Sequence, residues 1–101
     1  MLESVYETAL VHDLEELGLR VKRQVSLPFV YKNMKMDKGF RIDIVVNEKI
    51  ATEIKSTEDL APIHFSQTLT YLKLSKLKLG LLINFNVKVL KYGIHRIVNG
   101  L

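Results

Sequence analysis

Phe40-Arg-Ile-Asp43-Ile-Val-Val46-Asn-Glu48-Lys-Ile50-Ala-Thr-Glu53-Ile-Lys55 is the stretch that decides how this chain folds. Before the turn Asn47-Glu48-Lys49, Phe40, Ile42, Ile44 and Val46 are expected on one face, with Arg41, Asp43 and Val45 on the other. After it, Ile50, Thr52 and Ile54 alternate with Ala51, Glu53 and Lys55. A period of two on both sides of a short polar turn predicts an antiparallel hairpin, 40–46 paired with 50–56. A register symmetric about Glu48 sets Asp43 opposite Glu53 and Arg41 opposite Lys55, with all four side chains on one face. Carboxylates facing each other at about 5 Å repel by roughly 3 kcal/mol at an effective dielectric near 20. Selection for stability alone would not keep that pair together.

A divalent cation reverses the sign of the term. Two carboxylates and a nearby backbone carbonyl form the hard-oxygen cage that Mg²⁺ or Mn²⁺ prefers. Lys55 would stand at its rim, placed to orient or deprotonate an attacking water or to offset charge building on a phosphoryl oxygen. Asp43, Glu53 and Lys55 therefore have the composition of a phosphodiester hydrolysis site, with Asp43 and Glu53 as metal ligands.

Outward from the hairpin, Leu2, Val5, Tyr6, Ala9, Leu10, Leu14 and Leu17 follow helical spacing up to Gly18, a C-terminal cap. Glu3 falls between Leu10 and Leu14 in angle, inside the apolar arc, where an acid needs a partner such as a metal-bound water or the ion. It also sits in a first helical turn, where an acid simply complements the helix dipole. Residues 19–25 predict a strand, 27–31 an extended continuation or a second short strand, and 32–39 a basic loop or hairpin tip. Pro62 opens a second helix running to about Ser75, with Ile63, Leu69, Leu72 and Leu74 among its apolar positions. On it Gln67 and Tyr71 share a face, with His64 one turn before Gln67. These three line the same cleft, or else Gln67 and Tyr71 are polar edges of an amphipathic helix and His64 a capping histidine. Leu79 to Phe85 reads as a strand buried on both faces, and Val87–Leu90 and Ile94–Val98 as short closing strands. The order is α-β-β-β-α-β-β, an α/β fold with a mixed sheet flanked by two main helices.

With 101 residues, 48% apolar and 26% charged, the chain is expected to be one globular domain over 1–101. The absence of cysteine excludes thiolate chemistry and Cys-ligated zinc or iron–sulfur sites. No apolar run approaches a membrane span and no basic leader opens the chain, so a soluble cytoplasmic protein is expected. Residues 1–19 carry a net −5 and residues 20–101 a net +9. Lys32, Lys35 and Lys38 in the loop and Lys73, Lys76 and Lys78 around the end of the second helix are candidates for phosphate contact, which would make affinity fall with salt.

Asp43 followed by Glu53-Ile-Lys55 resembles the Asp…Glu-x-Lys signature of the PD-(D/E)XK nuclease superfamily. Over nearly its whole length the chain is similar to the small GxxExxY family within it. Leu2-Glu3-Ser4-Val5-Tyr6 resembles that family's helix start, Thr70-Tyr71-Leu72-Lys73 its second helix, and Leu81–Phe85 with Arg96–Gly100 its C-terminal strands. Gln67-x-x-x-Tyr71 also resembles the motif that follows the active-site lysine in RecB-type exonucleases. The resemblance implies a restriction-endonuclease-like core and a Mg²⁺-dependent deoxyribonuclease. It also implies Asp43, Glu53 and Lys55 as catalytic residues, with Glu3 and Gln67 as accessory ones; Tyr71, His64 and Arg41 are further candidates. Two departures stand out. Arg41-Ile-Asp43 replaces a literal Pro-Asp, and the family's leading glycine would fall one position before Met1, leaving room for a first helix that begins upstream in a longer chain.

The expected partner is DNA, and a homodimer would supply two sites for two strands. No helix-turn-helix, zinc module or cluster of stacking aromatics marks a sequence-reading surface. A nuclease-fold module that binds nucleic acid or a partner protein without cutting is the rival reading. A regulatory homodimer, inert until a partner supplies a DNA-binding surface, is the second.

Overall fold

In the computed structural model, residues 2–27, 29–31, 34–36 and 40–100 are described. The chain runs α1 (Leu2–Glu16), β1 (Val21–Ser26), β2 (Phe29–Tyr31), β3 (Met34–Met36), β4 (Arg41–Val46), β5 (Ile50–Lys55), α2 (Pro62–Ser75), β6 (Leu79–Asn84), a 3-10 turn (Leu90–Gly93) and β7 (Ile94–Val98). The main sheet has the order β1-β4-β5-β6-β7. β5 and β6 are parallel, joined by the crossover through α2, and the other neighbours are antiparallel. Along this sheet the chain follows the expected order α-β-β-β-α-β-β.

Each face of the sheet carries one helix. Tyr71 and Leu72 of α2 pack with Leu27, Ile42, Val45 and Ala51, while Val11 of α1 packs with Ile44, Val46 and Ile54. Ile42, Ile44, Ile54, Leu72 and Leu82 are fully buried, each contributing about 1.5–3 kcal/mol by leaving water. α1 ends as the sequence predicts: Gly18 adopts φ +83°, and the Leu19 N–H donates to the Leu14 carbonyl at 3.2 Å. No helix among the described residues is long and apolar enough to cross a membrane.

Four expectations are corrected. Met34–Met36 is a strand, paired with Phe29–Tyr31 in a separate two-stranded ribbon, rather than part of a loop. Three residues are too few for a period-two pattern to emerge from a lysine-rich stretch. Lys32, Lys38 and the side chain of Lys35 lie outside the described residues. In place of a strand over Val87–Leu90, residues 87–89 are bends and Leu90 opens the 3-10 turn, with Val87, Val89 and Leu90 exposed. The segment's β-branched composition favours a strand locally, but β6 takes β7, beginning at Ile94, as its neighbour on that side. On α2 the buried residues are Thr68, Tyr71 and Leu72, while Ile63 and Leu74 are exposed. The helix packs closely on β6 at Gly80, where a Cβ would stand 3.2 Å from the Leu72 side chain.

The fourth correction concerns β4. Phe40 and Ile42 pack with Val45 and Ala51, whereas Ile44 and Val46 pack on the α1 side. The strand therefore changes face at Asp43, and strict alternation over 40–46 fails at the residue the hairpin was read for.

The last glycine of the 3-10 turn also bears on the site. A Cβ at Gly93 would overlap the Asn84 carbonyl oxygen, and Asn84 holds the loop that follows β5. Gly93→Ala is expected to destabilise the protein by about 1–3 kcal/mol, read as a lower urea midpoint with an unchanged slope. An unchanged midpoint would show that the loop yields without cost.

Candidate active site

The hairpin takes the predicted register: Val46 pairs with Ile50, Val45 with Ala51 and Ile44 with Thr52. Pairing stops one step before the two carboxylates. There the side chains replace the ladder: Asp43 Oδ2 accepts the Ile54 N–H at 2.9 Å, and Glu53 Oε1 accepts the Asp43 N–H at 3.2 Å. On the other side of β4, Arg23·Ile44 and Val25·Ile42 are paired, but the intervening Gln24·Asp43 pair is missing. Asp43 thus stands at a break in both ladders. Such irregularities commonly re-aim a side chain next to a site.

Glu53 is 6% exposed, in the middle of a strand that pairs with β6 at Leu82. Burial first, and then the charge of Asp43, push its carboxyl from 4.5 up to about 9; the Asp43 N–H bond and the nearby Lys55 ammonium oppose the shift. In the metal-free protein this acid therefore carries a proton at neutral pH. A cation would supply the positive charge from the same place.

Lys55 ends β5, opposite Asn84 on the parallel neighbour. The Phe85 N–H donates to the Lys55 carbonyl at 2.9 Å. Asn84 then clasps the next loop, its Oδ1 accepting the Thr57 N–H at 3.1 Å and its Nδ2 donating to the Thr57 carbonyl at 3.0 Å. The site lies towards the carboxyl ends of the parallel pair, the usual place for a ligand in an α/β sheet.

Glu3 reaches the same end of the sheet. Its Oε2 accepts the Ser56 N–H at 3.1 Å, so a backbone amide is one partner of this inward-facing acid. Tyr6 stacks on Phe85 at 4.6 Å and locks the start of α1 over β6. On α2, Gln67 Nε2 donates to the Tyr71 hydroxyl oxygen at 2.8 Å. Burial raises the Tyr71 phenol above its ordinary value, as do the charges of Glu53 and Asp43, while the Gln67 bond lowers it. Tyr71 therefore belongs to the carboxylates' electrostatic neighbourhood, and Gln67 reaches it through the phenol.

Two candidates are not gathered in. His64 Nδ1 accepts the Ala61 N–H at 3.0 Å, which caps the start of α2. Arg41 is exposed and pairs with Ser26 at the end of β4, so its expected place facing Lys55 falls beyond the hairpin's ladder.

Sequence reasoning missed Glu7, Arg23 and Gln24. Glu7 is buried beneath α1; its Oε2 receives Arg23 Nε and Nη2, both at 2.9 Å, and its Oε1 receives Gln24 Nε2 at 2.7 Å. The signal was there: Glu7 lies four residues after Glu3, on the stripe already judged to face inward.

Asp43 and Glu53 offer oxygens of the type Mg²⁺ and Mn²⁺ prefer. Among the described residues no three His, Cys, Asp or Glu side chains gather to hold a metal. Two carboxylates suffice for Mg²⁺, which normally completes its shell with water and substrate phosphates. The donor set therefore fits such an ion.

A family model described as the PD-(D/E)XK nuclease superfamily matches residues 1–97. The crystal structure of SSO0001 is similar to this chain with a TM-score of 0.74 and 19% sequence identity, over 99% of this chain and 52% of that one. The chain thus spans about half the length of that protein, and at this identity the likeness is one of fold. No curated protein matches the chain.

Proposed function

The chain belongs to the PD-(D/E)XK nuclease superfamily, and from that premise we propose that it is a Mg²⁺- or Mn²⁺-dependent deoxyribonuclease of the GxxExxY type. The carrying observation is the Asp43–Glu53 pair, half-buried Asp43 and buried Glu53 joined across a broken hairpin ladder, with a Glu53 carboxyl pushed up to about 9. Asp43 and Glu53 hold the ion. When bound, it supplies positive charge to the phosphoryl group and acidifies water.

The chain's own side chains do the rest. Lys55 orients the attacking water and offsets charge building on a phosphoryl oxygen as the new P–O bond forms and the bond to the leaving deoxyribose oxygen breaks. Glu3 fixes the Ser56 amide, and so the backbone just past Lys55. Gln67 holds the Tyr71 hydroxyl towards the carboxylates. Arg41 and the lysines near the end of α2 contact phosphates, so affinity falls with salt. The domain acts in the cytoplasm over residues 1–101, and a homodimer would address both strands of a duplex.

The test is cleavage of labelled single-stranded, duplex and branched DNA by the purified protein with Mg²⁺ or Mn²⁺. Cleavage that EDTA stops and added metal restores is the expected result. Metal binding without cleavage of any of these substrates would favour a module that binds but does not cut.

A further inference from the structure

Gln24 is a strand residue in a conformation strands do not use. Its φ is +50°, in the left-handed region that side-chain-bearing residues seldom occupy, and it sits where the β1–β4 ladder skips a pair. Such strain persists where surrounding contacts over-determine it. Here those contacts are made by the side chain: Nε2 donates to Glu7 Oε1 at 2.7 Å and, more weakly, to Asp43 Oδ1 at 3.4 Å. One amide nitrogen has two hydrogens, so a single neutral group can serve both carboxylates.

Glu7 is held in turn. It is 6% exposed, and both of its oxygens are engaged, Oε2 by the Arg23 guanidinium and Oε1 by Gln24. Arg23 Nη2 also donates to Thr8 Oγ1 at 3.1 Å, pinning the guanidinium to α1. A continuous set of hydrogen bonds therefore runs from α1 through Glu7 and Gln24 to Asp43. The other Asp43 oxygen is fixed by the Ile54 N–H. Both oxygens of this carboxylate are thus oriented before any ligand arrives.

We infer that Gln24 is a positioning residue for Asp43, its amide tying that carboxylate to the Arg23–Glu7 ion pair and setting the orientation in which Asp43 takes a divalent cation. The inference rests on the proposed reading of Asp43 as a metal ligand. A plain structural tie between β1 and α1 would need only the Glu7 bond and would leave Asp43 indifferent to Gln24. Outer partners of this kind typically govern metal affinity or activity by 10- to 100-fold.

The test uses Gln24→Gly, which accepts the left-handed backbone, and Gln24→Asn, which tolerates it but is one methylene too short to span both carboxylates. Both are compared with wild type and Asp43→Ala at a temperature where circular dichroism shows each folded. Mn²⁺ affinity by calorimetry is expected to fall about 10- to 100-fold in either variant. In the metal-free protein, exchange of the Ile54 amide hydrogen is expected to quicken as Asp43 loosens. Glu7→Gln should weaken Mn²⁺ binding less in a Gln24→Gly background than in wild type, because both act through one path. Wild-type Mn²⁺ affinity and Ile54 exchange in the Gln24 variants, with binding lost in Asp43→Ala, would overturn the positioning role alone. Equal Mn²⁺ binding by wild type and Asp43→Ala would overturn the metal-ligand reading and the inference with it.

Discussion

Lys55→Ala is expected to lower the rate of divalent-dependent DNA cleavage by about 10²- to 10⁴-fold at saturating metal, while metal affinity stays within a few-fold of wild type or tightens. The loss belongs to the chemical step because the backbone of Lys55 is secured without its side chain. Its strand pairs with Asn84 on β6, its carbonyl accepts the Phe85 N–H, and the loop beyond is clasped by Asn84. Metal affinity has the opposite tendency, since removing an ammonium group that faces Glu53 removes a competitor for the carboxylates. Single-turnover cleavage alongside Mn²⁺ calorimetry separates the two. A variant that cleaves at the wild-type rate would remove Lys55 from the chemistry.

Glu53→Gln is expected to reshape stability against pH. The Glu53 carboxyl is raised from 4.5 to about 9 in the folded protein, so between those values the folded state holds a proton the unfolded state has released. The stabilising contribution is therefore full below about 4.5 and is lost as pH rises towards 9, with a slope near 1.4 kcal/mol per pH unit inside that window. At 6% exposure Glu53 gains little relief from solvent. Urea denaturation at pH 5, 7 and 9 in EDTA should show wild type losing stability with pH and Glu53→Gln losing much less. Adding Mg²⁺ at pH 8 should recover stability in wild type and little in the variant. Parallel pH profiles for the two proteins would show that Glu53 is not the group that titrates.

Both effects arise from a segment whose chemistry was legible in the sequence, though its geometry was only partly so. Period two and a polar turn were enough for the hairpin and its register, since Ile44·Thr52 and Val46·Ile50 are the pairs that symmetry about Glu48 requires. The sequence could not show that the ladder stops at Asp43. That break depends on carboxylates replacing backbone partners and on the left-handed Gln24 across the sheet, neither of which leaves a periodic trace. Glu3 was placed correctly facing inward, yet its partner is an amide 53 positions away, a contact no local pattern encodes. The same holds for Glu7. Its burial follows from the stripe it shares with Glu3, but its role depends on Arg23 and Gln24 arriving from another element. On α2 the apolar positions Ile63, Leu69, Leu72 and Leu74 include the fully buried Leu72, but Ile63 and Leu74 are exposed and the buried face also takes in Thr68 and Tyr71.

The central claim, that Asp43 and Glu53 together hold a divalent cation, is tested most directly by anomalous diffraction from crystals grown with Mn²⁺. A peak between the two carboxylates, absent from crystals of Asp43→Ala, is the expected result. Ordered Asp43 and Glu53 side chains with no peak between them, at a Mn²⁺ concentration that supports cleavage, would contradict it.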